Sequence, residues 1–260
     1  TVLPPGPEKL FEDASCLYAK MLSRHGRRIW QPLRASEKKD MAQVVDMLSN
    51  AANQGHARAQ FNLGVIYDTG SGVAQEKKIA IQWYRKAANL GFDNAQFNLG
   101  VMFRKGVGVS QNYKEAVKWF RKSANLGFAD AQYSLGVMYR DGQGIAQDDK
   151  EAVKWFRKAA NQGFTDAQYS LGLMCESSRG VARDYNEASR WYREAANQGS
   201  AAAQFNLGIM YCVGKGVAQS YAESVRWFRM AADQGVADAQ FNVGRMYSEG
   251  EGVAQDYNEA

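Results

Sequence analysis

The sequence is poor in the residues on which metal, redox and transmembrane proteins depend. It holds three cysteines, Cys16, Cys175 and Cys212, with no CxxC pair, so neither a zinc site nor a disulfide framework is written in their spacing. Two histidines, His25 and His56, are too few for a His-rich metal site, and nothing else calls for a cofactor or a metal. No apolar run approaches the ~18 residues needed to cross a bilayer. Thr1 is not an initiator Met, so any signal segment would already be absent; the chain reads as soluble, and its compartment stays open. Three of the four prolines stand in Pro4-Pro5-Gly6-Pro7, an extended leader that serves either as a linker or as a docking segment. Charge of one sign is also scarce. A net charge of +5 permits acidic partners but falls short of a nucleic-acid stripe unless the charges cluster.

What is present is a repeat. The dipeptide Ala-Gln recurs at Ala59-Gln60, Ala95-Gln96, Ala131-Gln132, Ala167-Gln168, Ala203-Gln204 and Ala239-Gln240, always 36 residues apart and without insertion. The same period carries Leu63 to Leu207, a glycine column from Gly64 to Gly244 and a tryptophan column from Trp83 to Trp227. Within one unit Ala59, Leu63, Ile66 and Tyr67 take the i, i+4, i+7, i+8 spacing of a helix face, and Gly70 suits the left-handed residue that ends it. Ala80, Trp83, Tyr84, Ala87 and Ala88 mark a second helix, ended by Gly91. The small Gly64 and Ala87 columns predict a close approach of these helices A and B, with Trp83 filling the remaining groove.

One helix pair cannot bury both of its faces, so the copies must stack into an all-α, right-handed superhelical solenoid. The spacing predicts complete units at 56–91, 92–127, 128–163, 164–199 and 200–235, then a partial unit to residue 260. Residues 36–55 read as a degenerate helix B, with Val44, Met47, Leu48, Ala51, Ala52 and Gly55 in register and Ser36 as its N-cap. Residues 1–35 read as a leader and a capping helix over Leu10–Ser23. An uncapped apolar end after the partial unit invites end-to-end self-association.

The strings Ala-Gln-Phe-Asn-Leu-Gly-Val-Ile-Tyr at 59–67, Gly-Ser-Gly-Val-Ala-Gln at 70–75 and Ala-Ile-Gln-Trp-Tyr-Arg-Lys-Ala-Ala-Asn-Leu-Gly at 80–91 closely resemble the Sel1-like repeat, a relative of the tetratricopeptide repeat. The resemblance covers residues 37–260. It implies an adaptor that holds protein or peptide partners on the surface of the superhelix. A cysteine-rich, secreted branch of that family is associated with β-lactam binding or hydrolysis, which makes a cell-wall or β-lactam ligand the alternative function. This sequence lacks that branch's cysteine pair in each repeat.

At 100° per residue, Arg58, Phe61, Asn62, Val65 and Thr69 share the face of helix A opposite Ala59, Leu63 and Ile66. If helix A lines the inside of the superhelix, as the resemblance implies, this face is a concave groove. Aromatic residues run along it at Phe61, Phe97, Tyr133, Tyr169, Phe205 and Phe241, beside an amide column at Asn62, Asn98, Asn206 and Asn242, with Ser134 and Ser170 between. An amide pairs with a peptide N–H and C=O together, which suits capture of an extended ligand. Alternatively the aromatics wedge neighbouring helices together and the amides bond to local backbone. Two variable columns would set specificity: Arg58, Asn94, Asp130, Asp166, Ala202 and Asp238, and Thr69, Lys105, Asp141, Ser177, Val213 and Glu249. Their mixed signs favour a protein ligand over a nucleic acid.

Other features read as structural. Helix B carries an arginine column at Arg85, Arg121, Arg157, Arg193 and Arg229, and a basic column at Lys118, Lys154, Arg190 and Arg226 that Glu115, Glu151, Glu187 and Glu223 precede by three residues, within ion-pairing reach. The Gly-x-Gly turns lack the longer signature of a phosphate loop. Ser36 and Lys39 form an SxxK without its partner motifs. The fourth unit departs most, with Cys175 at a Tyr position and Ser178 at a turn Gly, which marks either drift or a recognition patch. No catalytic constellation recurs, so the chain is expected not to be an enzyme.

Overall fold

In a computed structural model, residues 5–25 and 35–256 are described. They form thirteen α-helices and, among the described residues, no strand. The chain divides into two compact units at Phe128 and Ala129. The first holds α1 (Pro7–His25), α2 (Ala35–Asn53), α3 (Ala57–Thr69), α4 (Lys77–Asn89), α5 (Asp93–Lys105) and α6 (Tyr113–Asn125). The second holds α7 (Ala129–Asp141), α8 (Asp149–Asn161), α9 (Thr165–Ser177), α10 (Tyr185–Asn197), α11 (Ala201–Val213), α12 (Tyr221–Ala232) and α13 (Ala237–Glu249). In each unit consecutive helices pair, and the second helix of a pair packs on the first helix of the next. This is the stacked helix-pair arrangement that the 36-residue period predicts.

The helix ends follow from local chemistry. At the B helices Asn112, Asp148, Asp184 and Ser220 accept the backbone N–H of Glu115, Glu151, Glu187 and Glu223, which satisfies one of the orphan donors of the first turn. The A helices end on a left-handed residue, Gly70 in α3 (φ 73°). At α9 that residue is Ser178, which takes the same conformation at φ 60° despite its Cβ. Ser36 lies inside α2 and is not its N-cap, because the helix already begins at Ala35. Likewise α1 begins at Pro7, where the missing N–H costs no helical bond, and so reaches beyond Leu10–Ser23. Pro4 of the expected leader lies outside the described residues.

The glycine column has a different partner from the one the spacing suggests. A Cβ on Gly64, Gly100, Gly136, Gly172 or Gly208 would sit 2.5–2.7 Å from ring carbons of Tyr84, Phe120, Phe156, Tyr192 and Phe228. The groove is therefore filled by the aromatic after each tryptophan. The tryptophans sit at the seam between repeats: Trp119 joins Ala88 of the preceding repeat together with Leu99 and Met102 of its own helix A, and Trp227 joins Ala195 together with Leu207 and Met210 in the same way. The Ala-Gln dipeptide gains a reason. Ala59, Ala95, Ala167 and Ala203 are fully buried, and each following glutamine donates Nε2 to a carbonyl of the preceding helix end, Ala52, Ala88, Ala160 or Ala196, at 2.9–3.2 Å. That carbonyl lies in the last helical turn, where it also takes the N–H of the turn glycine, as Ala88 takes that of Gly91 at 3.1 Å.

Candidate functional site

The A-helix face separates into bonded positions and free ones. In the first unit the Phe61 ring lies 5.7 Å from Tyr84 and 5.0 Å from Phe92, and the Phe97 ring 5.8 Å from Phe120 and 5.3 Å from Phe128. In the second unit Tyr133 meets Phe156 and Phe164, Tyr169 meets Tyr192, and Phe205 meets Phe228, all within 6 Å. These aromatics are half-buried and join helix A to its own helix B. Phe241 is 72% exposed and has no such ring pair among the described residues.

The amide column is coupled to the same rings. The Asn98 and Asn206 side chains stand near the hydroxyls of Tyr84 and Tyr192. The Tyr192 hydroxyl donates to Glu176 Oε2 at 2.7 Å, and Tyr84 faces Asp68 Oδ2 at 3.5 Å. Burial first, then these carboxylates, push both phenols well above the usual tyrosine range, while the asparagine donors pull them back. Three columns change together at Tyr84, Phe120, Phe156 and Tyr192, though not at Phe228, where Cys212 and Asn242 stand. Tyrosine on helix B goes with an acid at 68 or 176 and with Asn at 98 or 206; phenylalanine at 120 and 156 goes with Arg104 and Arg140 and with Ser134 and Ser170. Arg104 lies 5.9 Å over the Phe120 ring. Comparing these columns in the sequence would have found the coupling. Asn242, which follows Phe228, donates to the backbone carbonyl of Asp238 at 2.7 Å.

The remaining expected positions are more open. Arg58 is exposed, 5.9 Å over the Phe11 ring, and Lys105 is exposed. Asn94 is half-buried and bonded to Asp93 Oδ1. Asp130 is half-buried and Asp166 exposed. The column Thr69, Lys105, Asp141, Ser177, Val213 and Glu249 is exposed throughout.

On helix B, Glu115, Glu151 and Glu223 pair with Lys118, Lys154 and Arg226 as their spacing predicts. Glu187 departs from the pattern, because its carboxylate takes Arg157 at 2.6 Å and the Trp191 Nε1–H. In the fourth repeat Cys175 is fully buried, and burial above all pushes its thiol up to about 11. That departure is a core substitution. No cluster of three metal-ligating side chains exists among the described residues, and no helix there is long and apolar enough to cross a membrane.

Helix pairs of constant length, stacked by an Ala-Gln register and divided by left-handed turns, define the class of helix-pair repeat proteins. The Sel1 repeat model matches residues 57–92, 93–128, 129–164, 165–200, 201–236 and 237–260. The chain belongs to the Sel1 repeat family, whose repeats are generally modules of protein–protein interaction. It is similar to c5321, a protective antigen of uropathogenic Escherichia coli displaying an SLR fold, with 40% identity and a TM-score of 0.80 over 83% of this chain. The chain spans 46% of that protein's length. A Sel1 repeat protein from Oxalobacter formigenes is 34% identical with a TM-score of 0.77, over 86% of this chain and 91% of that one. Comparison with curated proteins gives no match.

Proposed function

We propose that the chain is a non-catalytic scaffold that binds a peptide or a partner protein along the open face of its A helices. The observation that carries this reading is the division of that face. Positions that recur are buried or bonded, as in Ala59, Leu63 and Gln60, whereas the column from Thr69 to Glu249 varies in sequence and is exposed at every repeat. Variation confined to exposed positions on a rigid frame is how a repeat surface encodes a particular protein ligand.

The structure changes which residues test the idea. Asn98 and Asn206 stand beside the hydroxyls of the buried Tyr84 and Tyr192, so their replacement would disturb folding as well as binding. Lys105 and Asp166 are exposed and have no such duty. A partner captured with the chain would be titrated against Lys105→Glu and Asp166→Lys. The expected result is at least tenfold weaker binding with an unchanged melting temperature; full affinity in both variants overturns the assignment.

A further inference from the structure

The tryptophans of helix B are covered by cations of their own helix. Lys86 Nζ lies 3.9 Å over the Trp83 ring, Lys122 Nζ 4.4 Å over Trp119 and Lys158 Nζ 4.0 Å over Trp155, each lysine standing three residues after its tryptophan. In the fifth repeat that place holds Met230, and Arg226 lies 5.2 Å over the Trp227 ring instead. The fourth repeat breaks the pattern. Glu194 stands three residues after Trp191, and among the described residues no cation lies over that ring. There the structure holds an open cleft of about 440 Å³, lined by Asn161, Gly163, Gln168, Arg190, Trp191 and Glu194 among others. Trp191 is half-buried, and Arg190 and Glu194 are exposed.

The charges around the ring decide what fits there. Glu194 has no ion-pair partner among the described residues. Trp191 Nε1 donates to Glu187 Oε1 at 3.2 Å, which sets a second carboxylate at the ring edge and enriches the indole face in electron density. Glu187 also takes Arg157 at 2.6 Å, so Arg190, which stands where Lys118 and Lys154 pair with their glutamates, has no carboxylate of its own and lies off the ring. We propose that this cleft receives a lysyl side chain of a partner polypeptide, its ammonium over the Trp191 ring and beside the Glu194 carboxylate, in the place that Lys158 fills at Trp155. Glutamate in place of lysine at 194 uncovers the ring and turns a charge that repels an ammonium into one that attracts it. The surface belongs to helix B and not to the A-helix column, so it adds a second contact to the scaffold reading.

The test uses the full chain and two short peptides, N-acetyl-Gly-Lys-Gly-amide and its norleucine counterpart, titrated while the indole N–H resonances are followed by NMR. The lysine peptide is expected to shift the Trp191 indole saturably and to leave that of Trp155, already covered, in place. The norleucine peptide keeps the aliphatic chain and lacks the charge, and should bind about fivefold or more weakly, the worth of a cation–π contact with an exposed ion pair. Glu194→Lys places there the residue found at 158; it should cover the ring from within and abolish the shift without lowering the melting temperature. Glu194→Gln should weaken the lysine peptide about twofold to threefold, and Arg190→Gln, which removes a like charge from the cleft, should tighten it about twofold. No saturable shift at Trp191, equal binding of both peptides by the parent chain, or undiminished binding by Glu194→Lys would each overturn the proposal. Such a failure leaves the scaffold reading standing, since that reading is decided by Lys105 and Asp166 on the A helices.

Discussion

The Tyr192 hydroxyl offers a sharp test of the coupling between columns. Tyr192 is fully buried, with its ring over Gly172 and its hydroxyl donating to Glu176 Oε2 at 2.7 Å. Tyr192→Phe keeps the ring and removes only that oxygen, so little cavity is created. What is lost is a hydrogen bond to a carboxylate, about 1.5–3 kcal/mol. Glu176 is half-buried and can turn to water, which places the expected cost near the lower end, at ~1.5–2 kcal/mol. The chain also supplies the compensation. Where helix B carries Phe156, the acid is replaced by Arg140 and the asparagine by Ser170. The triple change Glu176→Arg, Tyr192→Phe, Asn206→Ser should therefore regain about 1 kcal/mol of the loss. Urea unfolding followed by circular dichroism measures both values. Amide exchange in α9 and α10 locates the loss in that repeat, since a repeat array need not unfold in one step. A single variant within ~0.5 kcal/mol of the parent, or a triple variant no better than the single, would refute the coupling.

Other residues give independent expectations. Trp155→Ala, at a side chain 9% exposed, should cost ~3–5 kcal/mol, and an unmoved unfolding midpoint would show the ring to be dispensable. Ser178→Gly should stabilise by ~1 kcal/mol, because Ser178 holds φ 60° with a Cβ; equal or lower stability would mean that its side chain compensates elsewhere. A thiol reagent at pH 8 should label the exposed Cys16 quickly and Cys175 only on unfolding; equal rates for the two would contradict the buried, proton-retaining thiol. Cys175, Tyr84 and Tyr192 all keep their protons to higher pH in the folded chain than in the unfolded one. Above pH ~9 the unfolded state therefore binds fewer protons, and stability should fall as pH rises towards ~11, with no contribution from these groups below pH ~8. A flat midpoint across pH 9–11 would count against their burial.

Much of the fold was legible because a 36-residue period leaves few alternatives. Gly70 and its equivalents end the A helices, and the glutamate three residues after each cap opens most B helices, both local signals. The errors came where a choice lies between neighbours in sequence. Trp83 and Tyr84 are 100° apart on α4, and periodicity alone does not tell which of them lies on the glycine of its own helix A. The role of Gln60 was invisible for another reason: its partner is the backbone carbonyl of Ala52, and backbone groups leave no mark in a column of residues. Asn98 and Asn206 read as ligand groups because they recur beside an open face. The parallel changes at 68, 84 and 98 add a second reading, in which each stands beside a tyrosine hydroxyl.

The same logic decides which surface positions are free to evolve a binding site. In the second unit Gln162, Gln198 and Gln234 donate to the buried Oε1 of Gln132, Gln168 and Gln204 at 2.7–2.8 Å. The first unit carries Leu90 and Leu126 at those places, 56% and 58% exposed, and there Gln60 Oε1 and Gln96 Oε1 are buried without a hydrogen-bond partner. A column that looks like solvent-facing variation therefore reaches into the core, and changing it alters what a buried oxygen can do. The column from Thr69 to Glu249 has no comparable link. Its bonds among the described residues are short-range, as in Ser177 to the Leu173 carbonyl and Asp141 to Arg140, so its residues can change without cost to the repeats beneath. Independence from the core, more than exposure, is why the proposal puts a partner on this column.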